Sequence, residues 1–188
     1  MKKSKPAYQN FHKDLIDNCR KKDRKAQFQI YKLYYRNMYN ISLRIVNDTQ
    51  EAEDIMQESF LSAFENIGTY GEKASFGAWL KRIVIHRSLD ALKKKRIDIL
   101  SIDDAAELPA GADEDADQES LNLQIEEIHR CIKLLPDGYR IILGLYLLEG
   151  YDHEEIGEIL DISASTSRSQ YARARSKLAG LISKRGQM

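Results

Sequence analysis

Between Asp98 and Glu119 the segment DILSIDDAAELPAGADEDADQE carries nine carboxylates and neither lysine nor arginine. A run of like charge that also holds Pro109, Gly111 and several small residues cannot collapse into a core, and reads as a solvated linker. It also hides the character of the rest of the chain. Over 188 residues the 29 bases and 29 acids cancel, but with this segment set aside 29 bases face 20 acids, a formal charge of +9. Two basic bodies joined by an acidic connector is the organisation this pattern implies, and no repeat of solenoid period competes with it.

With 43% hydrophobic residues the bodies are globular rather than wholly disordered. The longest apolar runs are a few residues, too short to span a bilayer, so no membrane insertion is expected. MKKSKPAYQNF is basic but lacks the apolar stretch of a secretory signal, so the expected location is the cytoplasm. Cys19 and Cys131 lie far apart, and His12, His86, His129 and His153 are scattered, so neither a metal nor another cofactor is expected. No phosphate-cradling glycine loop and no nucleophile with its base is visible, which argues against an enzyme.

In the C-terminal body, SLNLQIEEIHRCIKLLP spaces Leu121, Ile125, Ile128, Ile132 and Leu135 as one apolar stripe of a helix ending before Pro136. DGYRIILGLYLLEG gives a second stripe through Ile141, Ile142, Leu145 and Leu148. YDHEEIGEIL then starts a short helix with Asp152 and Glu155 in a capping-box arrangement, and Ile156, Ile159 and Leu160 inward. Ser163 suits the cap of a last helix whose inward stripe is Ser167, Tyr171, Ala174, Leu178 and Leu181. The opposite face carries Ser165, Ser169, Ala172, Arg173 and Ser176, flanked by Arg168 and Arg175. A short helix, a tight turn and a longer helix with small outward residues form a helix-turn-helix pattern. Small side chains let the backbone approach base edges, and arginines read guanines or hold phosphates. On this stretch alone an amphipathic surface helix with a good cap remains an equal alternative.

The block from Leu135–Pro136 to Leu178 resembles region 4 of bacterial sigma factors of the extracytoplasmic-function type. It carries the Tyr139–Arg140 pair, the Glu149–Gly150–Tyr151 bend, the Glu155–Ile156–Gly157 helix, Thr166 with Ser169, and Arg173–Ala174–Arg175. Ser167 stands where the family usually has an aliphatic residue, which should weaken helix packing, and Gln170 where it often has arginine. The resemblance implies that Ser165, Thr166, Arg168, Ser169, Ala172 and Arg173 face the minus-thirty-five element.

The N-terminal half supports the same family. In NDTQEAEDIMQESFLSAFENI, Ala52, Ile55, Phe60, Ala63, Phe64 and Ile67 line one side, while Asp54, Gln57, Glu58 and Leu61 lie away from it. On pattern alone this is an acidic face with one stray leucine. AEDIMQESFLSAF is similar to family region 2.2, which implies that these four residues contact the clamp of the polymerase β′ subunit. Further on, SFGAWLKRIVIH is similar to the SFxxWLxRIxxN pattern of regions 2.3 and 2.4, with His86 replacing the usual asparagine. Phe76, Trp79 and Leu80 share helical spacing with Ile83 and read as core. Tyr70 on the preceding loop reads as the better base-stacking residue. The resemblance implies that Tyr70, Gly71, Lys73, Ser75, Arg82 and His86 form the minus-ten site.

The chain is thus expected to be all-α. A basic segment (1–25) precedes a region 2 domain (26–97), an acidic linker (98–120) and a region 4 domain (121–188). The family implies core RNA polymerase, through the β′ clamp and the β flap, and duplex and melted promoter DNA as partners, and an anti-sigma factor is common in it. A stand-alone DNA-binding regulator is the competing reading, although no dimerisation helix is left over for one. The role of Lys2 to Lys25 stays open between an arm, a DNA contact and a tail.

Overall fold

The computed structural model describes residues 12–99 and 119–185, and among them every regular element is helical. The chain divides into two compact units, Met1–Ile97 and Asp98–Met188. Most of the acidic segment, residues 100–118, and residues 1–11 of the basic segment lie outside the described residues.

The first unit holds α1 (Lys13–Arg20), α2 (Arg24–Val46), α3 (Thr49–Glu65), a 3-10 turn (Ile67–Thr69) and α4 (Phe76–Ile99). Capping aspartates set two of the helix starts. Asp23 accepts from the Lys25 and Ala26 amides at 2.7 and 3.3 Å. Asp48 accepts from those of Gln50 and Glu51 at 3.0 Å. Each cap contributes about 1 kcal/mol by satisfying amides that the helix leaves orphaned. Asn47, in the left-handed region at φ 57°, ends α2 one residue before that second cap, so α2 and α3 turn back on each other with almost no loop. The core is built from Ile30, Met38 and Ile41 of α2, Ala52, Met56 and Phe60 of α3, and Phe76, Leu80, Val84 and Ile85 of α4. Ser42 and Ser88 are both fully buried, and their hydroxyls meet at 3.0 Å between α2 and α4.

The basic N-terminal segment is, from residue 12, neither an arm nor a tail. Helix α1 packs on α2 and on the 3-10 turn, with Ile16 and Cys19 each 1% exposed. Burial, aided by the Asp23 carboxylate, pushes the Cys19 thiol up to about 11, so it is a protonated core residue rather than a nucleophile.

The second unit holds α5 (Glu119–Lys133), α6 (Asp137–Leu143), a π-helical turn (Gly144–Leu148), α7 (His153–Leu160) and α8 (Ala164–Arg185). Helix α8 packs on α5, α6 and α7. Leu135, Leu143 and Ala174 form the centre, with Tyr139, Tyr171, Leu178 and Leu181 packed around it. Arg140, 3% exposed, pairs with Asp137 at 2.7 Å and donates to the Leu135 carbonyl at 3.3 Å. This ties the start of α6 to the end of α5. Two residues of the expected stripes face outward instead. Cys131 is fully buried one turn before Leu135, and Ile128 is 39% exposed. The π turn admits an extra residue, which rotates the register and carries Leu148 out to 49% exposure.

The link between α7 and α8 depends on two backbone positions. Asp161 closes α7 in the left-handed region at φ 56°. At Gly157 a Cβ would lie 2.7 Å from the Ile162 carbonyl oxygen. Gly157→Ala is therefore expected to destabilise the second unit by about 1–3 kcal/mol. Gly144 is right-handed and helical with nothing within 4 Å of an added Cβ, so Gly144→Ala should stabilise by about 0.5–1 kcal/mol. Urea unfolding of the two variants checks the contrast, and shifts of the same sign would contradict it.

Candidate nucleic-acid interface

At the start of α8 the Ser163, Thr166 and Ser169 hydroxyls are tied into local hydrogen bonds. Ser163 Oγ accepts from the Thr166 amide at 3.0 Å and meets Thr166 Oγ1 at 2.8 Å. Ser169 Oγ donates to the Thr166 carbonyl at 2.9 Å. Thr166 is half-buried in the cap, so of the expected set it is the one held closest to the protein; Ser165, Arg168, Ser169, Ala172 and Arg173 are all exposed. Their shared face is low in relief at its N-terminal end and cationic further along. A duplex groove can meet backbone and small side chains there and guanidinium groups beyond. Gln170 turns toward Gly138 and lines a cleft of about 160 Å³ with Arg173, Tyr139 and Pro136.

Ser167 does not leave the loose packing expected of it. It is fully buried, and its hydroxyl lies 2.9 Å from His153 Nδ1. The imidazole in turn stacks on Tyr146 at 4.6 Å and meets Tyr171 edge-on at 5.6 Å. A polar pair inside an aromatic frame thus holds α8 against the start of α7, where a branched aliphatic residue would otherwise fill the space. Residue spacing alone could not reveal it, because Ser167 and His153 meet across the turn.

The loop before α4 is closed rather than displayed. Tyr70, read from sequence as a stacking platform, is only 3% exposed. Its hydroxyl donates to the Ala74 carbonyl at 2.7 Å, and its ring lies 5.4 Å from both Phe76 and Trp79. In this conformation Tyr70 shapes the loop and has no open face for a base. Arg20 of α1 holds the loop from outside, donating to the Tyr70 carbonyl at 3.1 Å and pairing with Glu72 at 3.0 Å. Gly71 and Lys73 remain exposed, and Arg82 and His86 are exposed on α4. Ser75 is half-buried because its Oγ caps α4, accepting from the Ala78 amide at 3.2 Å. Of the residues read as core, Phe76 and Leu80 are buried, while Trp79 and Ile83 are half-buried.

On α3 the four expected residues share one exposed face: Asp54, Gln57, Glu58 and Leu61, the leucine 63% exposed. Gln57 Nε2 donates to Glu53 at 3.3 Å. Glu58 pairs with half-buried Arg87 at 3.1 Å, its own side chain 65% exposed, so the pair fixes little and leaves the carboxylate available. Sequence reasoning missed Arg20 and α1; the apolar spacing of Ile16 and Cys19 ahead of the Asp23 cap was the signal for them. No helix among the described residues is long and apolar enough to cross a membrane.

Comparison with known proteins adds an independent line. Residues 30–97 match the family described as Sigma-70 region 2, and residues 125–178 match Sigma-70, region 4. The chain is 31% identical over 178 residues to the ECF RNA polymerase sigma factor SigW of Bacillus subtilis strain 168, covering 88% of this chain and 94% of that protein. Its fold is similar to that of the sigma factor RpoE in complex with the anti-sigma factor NepR from Bartonella quintana. There the TM-score is 0.61 at 21% identity, covering 82% of this chain and 95% of that one. It is also similar to CnrH in complex with the cytosolic domain of CnrY, with a TM-score of 0.56 at 17% identity and coverage of 92% and 97%.

The pairing of half-buried His153 with buried Ser167 yields a direct test. In a double-mutant cycle with His153→Ala and Ser167→Ala, a coupling energy of about 0.5–1.5 kcal/mol is expected from urea unfolding. Additive effects would show that the two side chains act separately.

Proposed function

The chain belongs to the extracytoplasmic-function group of the bacterial sigma-70 family, whose members direct promoter-specific transcription initiation and are not themselves catalysts, and from that premise we propose a division of labour among its surfaces. The face of Asp54, Gln57, Glu58 and Leu61 docks on the β′ clamp of core RNA polymerase, the leucine entering an apolar seat and the carboxylates meeting cations around it. Gly71, Lys73, Ser75, Arg82 and His86 engage the minus-ten element, with Tyr70 acting by holding the loop's shape. Extruding a base costs a few kcal/mol, and a loop already braced by Arg20 and Glu72 loses little further entropy on capturing it.

The second unit, with the β flap as its seat on the polymerase, reads the minus-thirty-five duplex. The observation that carries this reading is the exposed row Ser165, Arg168, Ser169, Ala172 and Arg173 on a helix fixed by its cap, by Gly157 and by the His153–Ser167 pair. Each bidentate arginine–guanine contact discriminates by about 1–3 kcal/mol. Neither unit needs to bind tightly alone, because tethering through the acidic linker (98–120) raises the effective concentration of the second contact. The linker carboxylates follow the RNA-exit path as mimics of nucleic-acid charge. The functional domains are 26–97, extended by α1, and 121–188. An anti-sigma protein is the proposed regulator; the RpoE relative is held by one in its solved complex. The site of action is the cytoplasm, where the polymerase is.

Two variants separate the roles. Leu61→Glu is expected to abolish capture by core polymerase while leaving affinity for a minus-thirty-five duplex unchanged. Arg168→Ala with Arg173→Ala should weaken that duplex by at least about tenfold while leaving core capture intact. Pull-down with core enzyme and duplex fluorescence anisotropy read the two effects, and loss of both activities in either variant would contradict the assignment.

A further inference from the structure

We propose that Arg87 is a further strand-binding residue of the first unit and that Glu58 withholds it until α3 docks, so that polymerase and DNA draw on the two halves of one ion pair. The proposal rests on the docking role given to Glu58 and the minus-ten role given to α4. Two cross-links join α3 to α4: Arg87 with Glu58 at 3.1 Å and Lys95 with Glu51 at 3.3 Å. Glu51 and Glu58 lie about two turns apart on α3, and Arg87 and Lys95 about two turns apart on α4. The two helices therefore run antiparallel along this edge, with the pairs as rungs between them.

The rungs differ in where their carboxylates sit. The Glu51 side chain is 26% exposed and lies outside the docking set, so docking leaves its hold on Lys95 in place. The Glu58 side chain is 65% exposed and shares its face with Asp54, Gln57 and Leu61. On the other helix Arg87 directly follows His86, about 100° round α4 from it, and its side chain is 39% exposed. The guanidinium thus stands on the flank of the proposed minus-ten face, turned toward α3 by the carboxylate it pairs with.

An ion pair this exposed is worth little by itself, and that weakness lets it exchange partners. A clamp cation arriving beside Leu61 meets Glu58 and draws its carboxylate away from Arg87. The released guanidinium, on its long stem, then takes a phosphate of the strand beside His86 in a charge-assisted hydrogen bond. One pair before docking becomes two pairs after it, Glu58 with the clamp and Arg87 with DNA. Linkage makes the effect reciprocal: the factor by which docking raises strand affinity is the factor by which the strand raises docking affinity. For an exposed pair that factor is about two- to fivefold. A plain brace between helices would lose stability when broken and strengthen neither contact.

The test uses the full chain with two probes, a fluorescent oligo-dT read by anisotropy over a salt series and purified core polymerase titrated against labelled chain. Circular dichroism verifies the folding of each variant. Without core, Glu58→Gln is expected to raise oligo-dT affinity about two- to fivefold and to steepen the log–log salt slope by about 0.7, as one further phosphate is neutralised. Adding Arg87→Gln should erase that gain. With core, Arg87→Gln is expected to tighten capture by the same factor, because the Glu58 carboxylate is then uncontested. Asp54→Asn removes equal charge from the same face, so an equal gain in oligo-dT affinity from it would reveal a general charge effect and overturn the proposal. No gain from Glu58→Gln, a gain that survives Arg87→Gln, or core capture that Arg87→Gln fails to tighten would overturn it too. If Leu61→Glu abolishes capture while Arg87→Gln fails to tighten it, the docking reading stands and this inference falls. Capture left intact by Leu61→Glu removes the docking role and this coupling with it.

Discussion

Helix starts hold this chain together. Neither unit reaches a hundred residues, and small bodies bury a modest fraction of their surface, so apolar packing alone fixes their shape weakly. Side chains that take up the first amides of a helix supply what packing does not. Asp23, Asp48 and Ser75 do this for α2, α3 and α4, and Asp152 and Ser163 for α7 and α8. Each is worth about 1 kcal/mol, and each also sets where its helix begins, hence which side chains face out. The exposed face of α8 proposed to read the promoter is placed in this way: moving the Ser163 cap by one residue would rotate Arg168 and Arg173 by about 100°.

Close approach is the second device. The turn between α7 and α8 closes over Gly157, and the α2–α4 crossing passes over Gly77 and the Ser42–Ser88 pair. Small and polar residues at these points let neighbouring segments come near, and among the described residues no buried side-chain nitrogen or oxygen is left without a hydrogen-bond partner. Buried polar pairs of this kind narrow the geometries a small core can adopt, which suits a surface proposed to match a DNA groove.

Much of this was legible in the sequence because it is local. The capping box at Asp152 and Glu155, the Ser163 cap and the alternation of buried and exposed residues on α3 and α8 follow from spacing within a few turns. What spacing could not show depends on contacts between distant segments. Tyr70 looks like an exposed loop aromatic until Phe76 and Trp79 fold over it. Ser167 looks like a packing defect until His153 reaches it across the turn. Helix α1 was hidden by the basic residues around Ile16 and Cys19, and the extra residue in the π turn broke the 3.6-residue count that placed Leu148 inward.

The most direct measurement is transcription from a promoter library by purified core RNA polymerase, with and without this protein, with the RNA start points sequenced. The account predicts defined starts only when the protein is present, each preceded by two sequence elements at fixed separations. Absence of new starts, together with tight binding of specific duplexes by the protein alone, would contradict it and point to a stand-alone DNA-binding regulator.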